Sequence, residues 1–217
     1  MRNFLSCCLA VWAAAATLAF AFRPEEPACV IALDKMNIFH IGVDNPVSIL
    51  VRGVPEEEIK IETSENLTLE KRGGLSYNVR AYAPGEATLT VSGGPLKPIT
   101  FNYRVKRFPE PAVLLGAQHF PRTINIGTFK AQAGLAAVMQ GYDISGNCEM
   151  ISYKVTQLRN GRLLADAINT GARYTHSVQT IISDAQSGDT FIYEDVKVKC
   201  PGDTAPRTFE GLTFVIR

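Results

Sequence analysis

Between Ala28 and Lys106 apolar and polar positions alternate with a period of two, the pattern of strands with one face turned to a core. Val47, Ile49 and Val51 oppose Ser48 and Arg52, and Tyr77, Val79 and Ala81 oppose Asn78 and Arg80. Ala87, Leu89 and Val91 then alternate with Thr88 and Thr90, and Phe101, Tyr103 and Val105 with Asn102, Arg104 and Lys106. Turn formers separate the runs: Asp44-Asn45-Pro46, Gly53-Val54-Pro55, Gly73-Gly74, Pro84-Gly85 and Gly93-Gly94-Pro95. Glycine and proline supply the dihedrals that tight reversals need.

About seven strands in some eighty residues is the spacing of an immunoglobulin-like sandwich. The Cys-Trp-Cys core of antibody domains is missing, because the single tryptophan, Trp12, precedes the strands. The run Phe108-Pro109-Glu110-Pro111 interrupts the pattern, since two prolines remove two ladder donors. It predicts a stiff joint over 108–111 between an immunoglobulin-like unit at 28–107 and a second unit at 112–217. The second unit is again strand-rich, with Thr123–Phe129, Leu135–Met139, Met150–Val155, Thr190–Lys199 and Leu212–Ile216 as the clearest strands. Within it Val178, Ile181, Ile182 and Ala185 recur at helical spacing, which predicts a short amphipathic helix with Ser177 as N-cap and Gly188 as stop. The fold class expected is all-β: two consecutive sandwich domains, the second with one short helix.

The first 21 residues do not fit a folded domain. Met1-Arg2 is followed by an almost uncharged apolar run to Phe22 and then by Arg23-Pro24-Glu25-Glu26. That order, with Ala19-Phe20-Ala21 as a small-x-small cleavage pattern, predicts a signal peptide over residues 1–21 and an exported chain starting at Phe22. An uncleaved signal anchor is the alternative reading of the same run. Cys7, Cys8 and Cys29 do not sit where a lipid-modified cysteine belongs. No later run is long and apolar enough to span a bilayer, so the expected place of the chain is the periplasm, with no membrane insertion after cleavage.

Charge then removes several classes of partner. Lys and Arg number 22 and Asp and Glu 21, so loss of Arg2 leaves a balanced chain. With no basic tract, neither nucleic acid nor an anionic membrane has an electrostatic footprint to bind. Cys29, Cys148 and Cys200 remain after cleavage, enough for one bridge in an oxidising compartment. Cys148 opens the run toward Val155 and Cys200 ends the strand from Thr190, so adjacent antiparallel strands would bring these two together. The alternative is two independent thiols, one buried as a small apolar residue.

Chemistry is not declared anywhere. His40, His119 and His176 lie far apart, none at a metal-ligand spacing, and His40 reads as a half-buried strand residue. There is no strained Gly-x-Ser-x-Gly elbow, no Cys-His pairing and no phosphate-cradling glycine loop ahead of a helix. Glu25-Glu26 and Glu56-Glu57-Glu58 read as solvated charge. We therefore assign no catalytic, metal or cofactor residue and expect a protein that is not an enzyme. Asn66-Leu67-Thr68 satisfies an N-glycosylation sequon, which matters only in a eukaryotic secretory pathway.

Three stretches carry a family resemblance. KMNIFHIGVDNPVSI at 35–49, with Gly53-Val54-Pro55 after it, is similar to the opening of the penultimate domain of the GldM/PorM family of gliding and type IX secretion proteins. YRVKRFPEP at 103–111 resembles the junction of that family's last two domains, and FIYEDVKVKCPGDTAPRTFEGLTFVI at 191–216 its closing strands. Cys200 stands where the family usually has glycine, and Pro201-Gly202-Asp203 reorders the usual turn. The family's N-terminal transmembrane helix and helical periplasmic domain have no counterpart in this sequence. The resemblance implies a protein partner in the cell envelope, with gliding or secretion-ring components as candidates and a homodimer as a further option. It points to Asp44, Asn45, Pro46 and Arg107 as the interaction turn and joint. Asp203-Thr204-Ala205 resembles the O-glycosylation site of exported Bacteroidetes proteins, which makes Thr204 a candidate, with a plain polar turn as the alternative. The alternative function is a soluble periplasmic glycan- or peptide-binding sandwich.

Overall fold

The structure is a computed structural model describing residues 26–33, 37–141, 144 and 146–217; the expected signal peptide lies outside them. Eight strands build the first unit: β1 (Ala28–Leu33), β2 (Ile38–His40), β3 (Asn45–Arg52), β4 (Lys60–Thr63), β5 (Leu67–Gly73), β6 (Ser76–Ala81), β7 (Gly85–Gly93) and β8 (Leu96–Lys106). They form two four-stranded sheets, ordered β1-β3-β6-β5 and β2-β8-β7-β4. All pairs are antiparallel except β2 with β8, which is parallel. The alternation of β7 is realised directly: Ala87, Leu89 and Val91 are buried while Glu86 faces solvent. Phe39, Val47, Leu67, Val79, Leu89, Tyr103 and Val105 fill the space between the sheets, and Ile49, Val91 and Leu96 extend it. Burial of each such side chain contributes about 1.5–3 kcal/mol.

The second unit comprises β9 (Ala112–Leu115), β10 (Thr123–Ile124), α1 (Ile126–Lys130), β11 (Leu135–Val138), β12 (Glu149–Arg159), β13 (Arg162–Thr170), α2 (His176–Ser183), β14 (Thr190–Lys199), β15 (Arg207–Phe209) and β16 (Leu212–Ile216). Its main sheet runs β10-β16-β14-β12-β13, with β15 beside β14, and β9 pairs with β11 in a small separate ribbon. Phe129, Tyr153, Phe191, Tyr193 and Phe214 make an aromatic core on which α2 sets Val178, Ile181 and Ile182. The chain is thus an all-β protein of layered sheets.

Three local readings change. The expected strand Thr123–Phe129 stops at Ile124, because the Asn125 side chain accepts a hydrogen bond from Gly127 N at 2.9 Å and starts α1. Helix α2 begins at His176 with Thr175 as its N-cap, not Ser177, because Thr175 N is held by Asn169 Oδ1 at 2.7 Å. Strand β13 was not among the clear sequence runs. Its signal is Asn160-Gly161, whose φ values of 52° and 73° form the two-residue reversal that joins it to β12.

One buried carboxylate ties α2 to the sheet. Asp189, 1% exposed, accepts from Arg159 Nε and Nη2 and from Gln157 Nε2 and Gln186 N, each at 2.9 Å. The Arg159 hydrogen bonds, against the opposing effect of burial, bring its pKa down to about 2. A depressed carboxylate stabilises the fold fully above its unfolded pKa of about 3.9 and loses that contribution as pH falls toward 2. The difference in melting temperature between the wild type and Asp189→Asn should therefore be nearly constant from pH 5 to 7, shrink below about pH 4 and keep shrinking as pH falls through about 2, as read by thermal circular dichroism.

Candidate functional site

The two units meet where the turn between β2 and β3 presses on the turn after β14. Asn45 shapes the first of these turns from inside. Its side chain accepts His40 N at 2.8 Å and donates to the carbonyls of His40, Val43 and Val79 at 3.0–3.1 Å. The chain from Ile41 to Asp44 is thereby folded outward, with Gly42 at its tip in the left-handed region at φ 83°. Gly42 lies against Gly202, itself at φ 75°. A Cβ on Gly42 would come to 2.0 Å from Gly202 N, and one on Gly202 to 2.9 Å from Ile41 O. Only a pair of glycines lets the two backbones come this close.

Behind Gly202 the second turn is fastened from several sides. Cys200 is bonded to Cys148, with Cα atoms 4.1 Å apart. Asp203 Oδ2 accepts Cys200 N at 2.9 Å, and its Oδ1 accepts Arg207 Nη2 at 2.7 Å. Burial raises the Asp203 pKa, but the hydrogen bonds from Arg207 and Cys200 N outweigh it, and the carboxyl lies below its ordinary range. Arg207 also donates to Phe108 O at 2.9 Å, so one guanidinium joins the turn to the segment between the units. Phe108 is 1% exposed within the core of the second unit, and Val43 of the first unit packs against that same core. A Cβ on Gly146 would come to 3.0 Å from Val43 Cγ1. The segment 108–111 is thus held by the packing of Phe108 and by the Arg207 hydrogen bond as well as carrying two prolines.

Beside this contact lies a cleft of about 590 Å³ lined by the Ile41–Asp44 turn, by Arg80 and Ala81 at the end of β6, by Tyr82 just beyond it and by Gly202. Asp44 accepts Arg80 Nε at 2.8 Å and Asn78 Nδ2 at 3.3 Å, and Arg80 Nη2 reaches Glu70 Oε2 at 3.1 Å. The hydrogen bond to Asp44, then the charges of Asp44 and Glu70, raise the Arg80 pKa. Tyr82 is 58% exposed, and its hydroxyl is hydrogen-bonded to Thr68 Oγ1.

The residues singled out from sequence fall in distinct places. Asp44 lines the cleft, Asn45 is an internal organiser of the turn, and Pro46 is half-buried in β3 opposite Asn78. Arg107 is exposed beside the joint, where its charge acts on Asp203. Thr204 is exposed, directly after the internal Asp203. The sequon residue Asn66 donates its amide to Glu86 O at 3.0 Å, a clip between the turn before β5 and the start of β7. Cys29 is a half-buried free thiol on β1, its pKa raised by burial. Among the described residues no group of His, Cys, Asp and Glu could hold a metal ion, and no helix there is long and apolar enough to cross a membrane. Gly42, Arg80, Tyr82 and Gly202 were not read as site residues. For Arg80 the available signal was its outward phase on β6, for Tyr82 its place just past the end of that strand, and for the glycines their place in two turns that only the fold brings together.

Comparison with known proteins gives a partial match. The family model described as the GldM third domain matches residues 28–106. Among solved structures, the fibronectin(III)-like modules of Clostridium thermocellum CbhA align over 87% of this chain and 94% of theirs at 14% identity and a TM-score of 0.27. Domains 6 and 7 of the surface layer protein SbsC align over 87% and 97% at 13% identity and a TM-score of 0.30. A Salmonella alpha-2-macroglobulin aligns over 88% of this chain but 15% of its own, at 15% identity and a TM-score of 0.31. None of these scores reaches the range of a shared overall fold. No curated protein matches the chain.

Two substitutions probe the joint. Gly42→Ala should leave both units folded yet broaden the distance between spin labels placed one in each, because the new methyl group forces the turns apart. Replacing Cys148 and Cys200 by alanine should lower the stability of the second unit by up to about 4 kcal/mol in the chain-entropy account, read by urea denaturation.

Proposed function

We propose that the chain is a non-enzymatic protein-interaction module of the bacterial periplasm, a reading supported by the match of residues 28–106 to the family model described as the GldM third domain, which relates it to gliding and type IX secretion proteins. In this reading it reaches that compartment by a cleaved signal peptide and binds a component of a gliding or secretion assembly in the envelope. The units at 28–107 and 112–217 act as separate domains held by the joint at 108–111.

The observation that carries the reading is the family match over the whole first sandwich, with a built joint beside it. A module that passes position or force between partners needs a fixed angle between its domains, and the Gly42–Gly202 contact with its fastened turn is suited to hold one. The charged groups around the cleft are locked in pairs. Asp44 is held by Arg80 and Asn78, so neither a free base nor an activated nucleophile stands there.

The test is affinity purification of the tagged chain from cross-linked envelopes of its own cells, followed by mass spectrometry. Gliding or type IX secretion-ring proteins should be enriched over a tag-only control. Equal recovery in both samples would overturn the assignment to that machinery.

A further inference from the structure

The interdomain cleft has a composition that a protein-docking role does not require. From it we propose that the cleft binds a neutral oligosaccharide, with Tyr82 as the stacking platform and the Arg80–Asp44 pair as the hydroxyl-binding group.

Tyr82 stands in the cleft wall with more than half its surface open, yet its hydroxyl is tied to Thr68 Oγ1, which limits the freedom of the ring before any ligand arrives. An aromatic face so fixed offers apolar area at small entropic cost, and the C–H face of a pyranose ring is the complementary surface. Beside it, Arg80 spends one N–H on Asp44 and one on Glu70, leaving three of its five donors. The Asp44 carboxylate is oriented by Arg80 and Asn78 and keeps lone pairs to spare. A donor fork next to an oriented acceptor matches adjacent sugar hydroxyls, each of which both gives and receives a hydrogen bond.

Charge excludes the main rivals. Two carboxylates, Asp44 and Glu70, surround the single guanidinium, so a phosphate or an acidic sugar meets no unpaired cation. The large exposed apolar side chains Val30, Leu50, Leu163, Leu164 and Ile168 lie elsewhere, on β1, β3 and β13, so an apolar protein contact has better places to form. The cleft itself, at about 590 Å³ and between two domains, has the size and position usual for small-ligand sites. Gly202 supplies its wall from the second unit, so the site is complete only while the joint is closed.

The experiment uses the full exported chain, isotopically labelled, and titrates it with neutral tetrasaccharides of glucose, mannose, galactose and N-acetylglucosamine, with a tetragalacturonate as the acidic control. At least one neutral probe should give saturable amide shifts at Gly42, Arg80, Tyr82 and Gly202. Tyr82→Ala and Arg80→Ala should each weaken that binding by about tenfold or more, whereas Tyr82→Phe, which keeps the ring but loses its tie to Thr68, should weaken it by clearly less than Tyr82→Ala does. Both positions are exposed, and circular dichroism verifies that the three variants fold. The proposal is overturned if no neutral probe binds at roughly millimolar concentration, if the shifts map away from the cleft, if Tyr82→Ala binds as the wild type does, or if the acidic probe is preferred. Loss of a protein partner in the same variants, without sugar binding, would make the cleft a protein-docking site instead. Saccharide binding is measured on the purified chain, so its failure leaves the partner reading and its envelope test untouched.

Discussion

Two glycine backbones in contact, Gly42 from the first unit and Gly202 from the second, set the geometry on which the rest of the molecule's behaviour depends. Any other residue at Gly42 would place a methyl group 2.0 Å from Gly202 N, inside the backbone itself. The two turns therefore have one close arrangement, and both are built to stay in it. Asn45 braces one from within, while the Cys148–Cys200 bridge and the Asp203–Arg207 pair brace the other. Arg207 adds the backbone of Phe108, so the connecting segment is fastened by the same residue that fastens the turn.

Domains joined by a short linker and a small contact ordinarily move relative to one another. Here the contact is small in extent but continuous with a core. Val43 reaches from the first unit into the packing around Phe108 and Cys200, and Phe108 itself is sealed inside the second unit. Opening the joint would expose apolar side chains and break backbone contacts together.

Charge is used in two ways in this protein. Inside the second unit Asp189 and Asp203 each take an arginine and nearby backbone N–H groups, and each holds a loop against the sheet. These carboxylates act on stability, because their partners cannot be replaced by water without loss. On the surface, the Asp44–Arg80–Glu70 row contributes little to stability, since exposed pairs are screened and solvated. What the row does provide is a fixed set of donors and acceptors beside Tyr82.

The alternation of apolar and polar residues was enough to read the first sandwich, because a period of two is a local consequence of strand geometry and needs no knowledge of partners. Val47 to Val51, Ala87 to Val91 and Phe101 to Val105 carried it, and the apolar stripe Val178, Ile181, Ile182 and Ala185 carried α2 for the same reason. Strand β13 stayed hidden because its edge position leaves Leu163, Leu164 and Ile168 exposed, which blurs the alternation, although Asn160-Gly161 marked its start. The Asp44-Asn45-Pro46 turn was visible as a place, but not the division of labour in which Asn45 works inward and Asp44 outward. Local patterning could show that turns existed near Gly42 and Gly202. That these glycines, 160 positions apart in the numbering, touch and wall a cleft with Arg80 and Tyr82 was decided by tertiary packing alone, since contact between distant turns depends on how two completed cores sit together and leaves no periodicity along the chain.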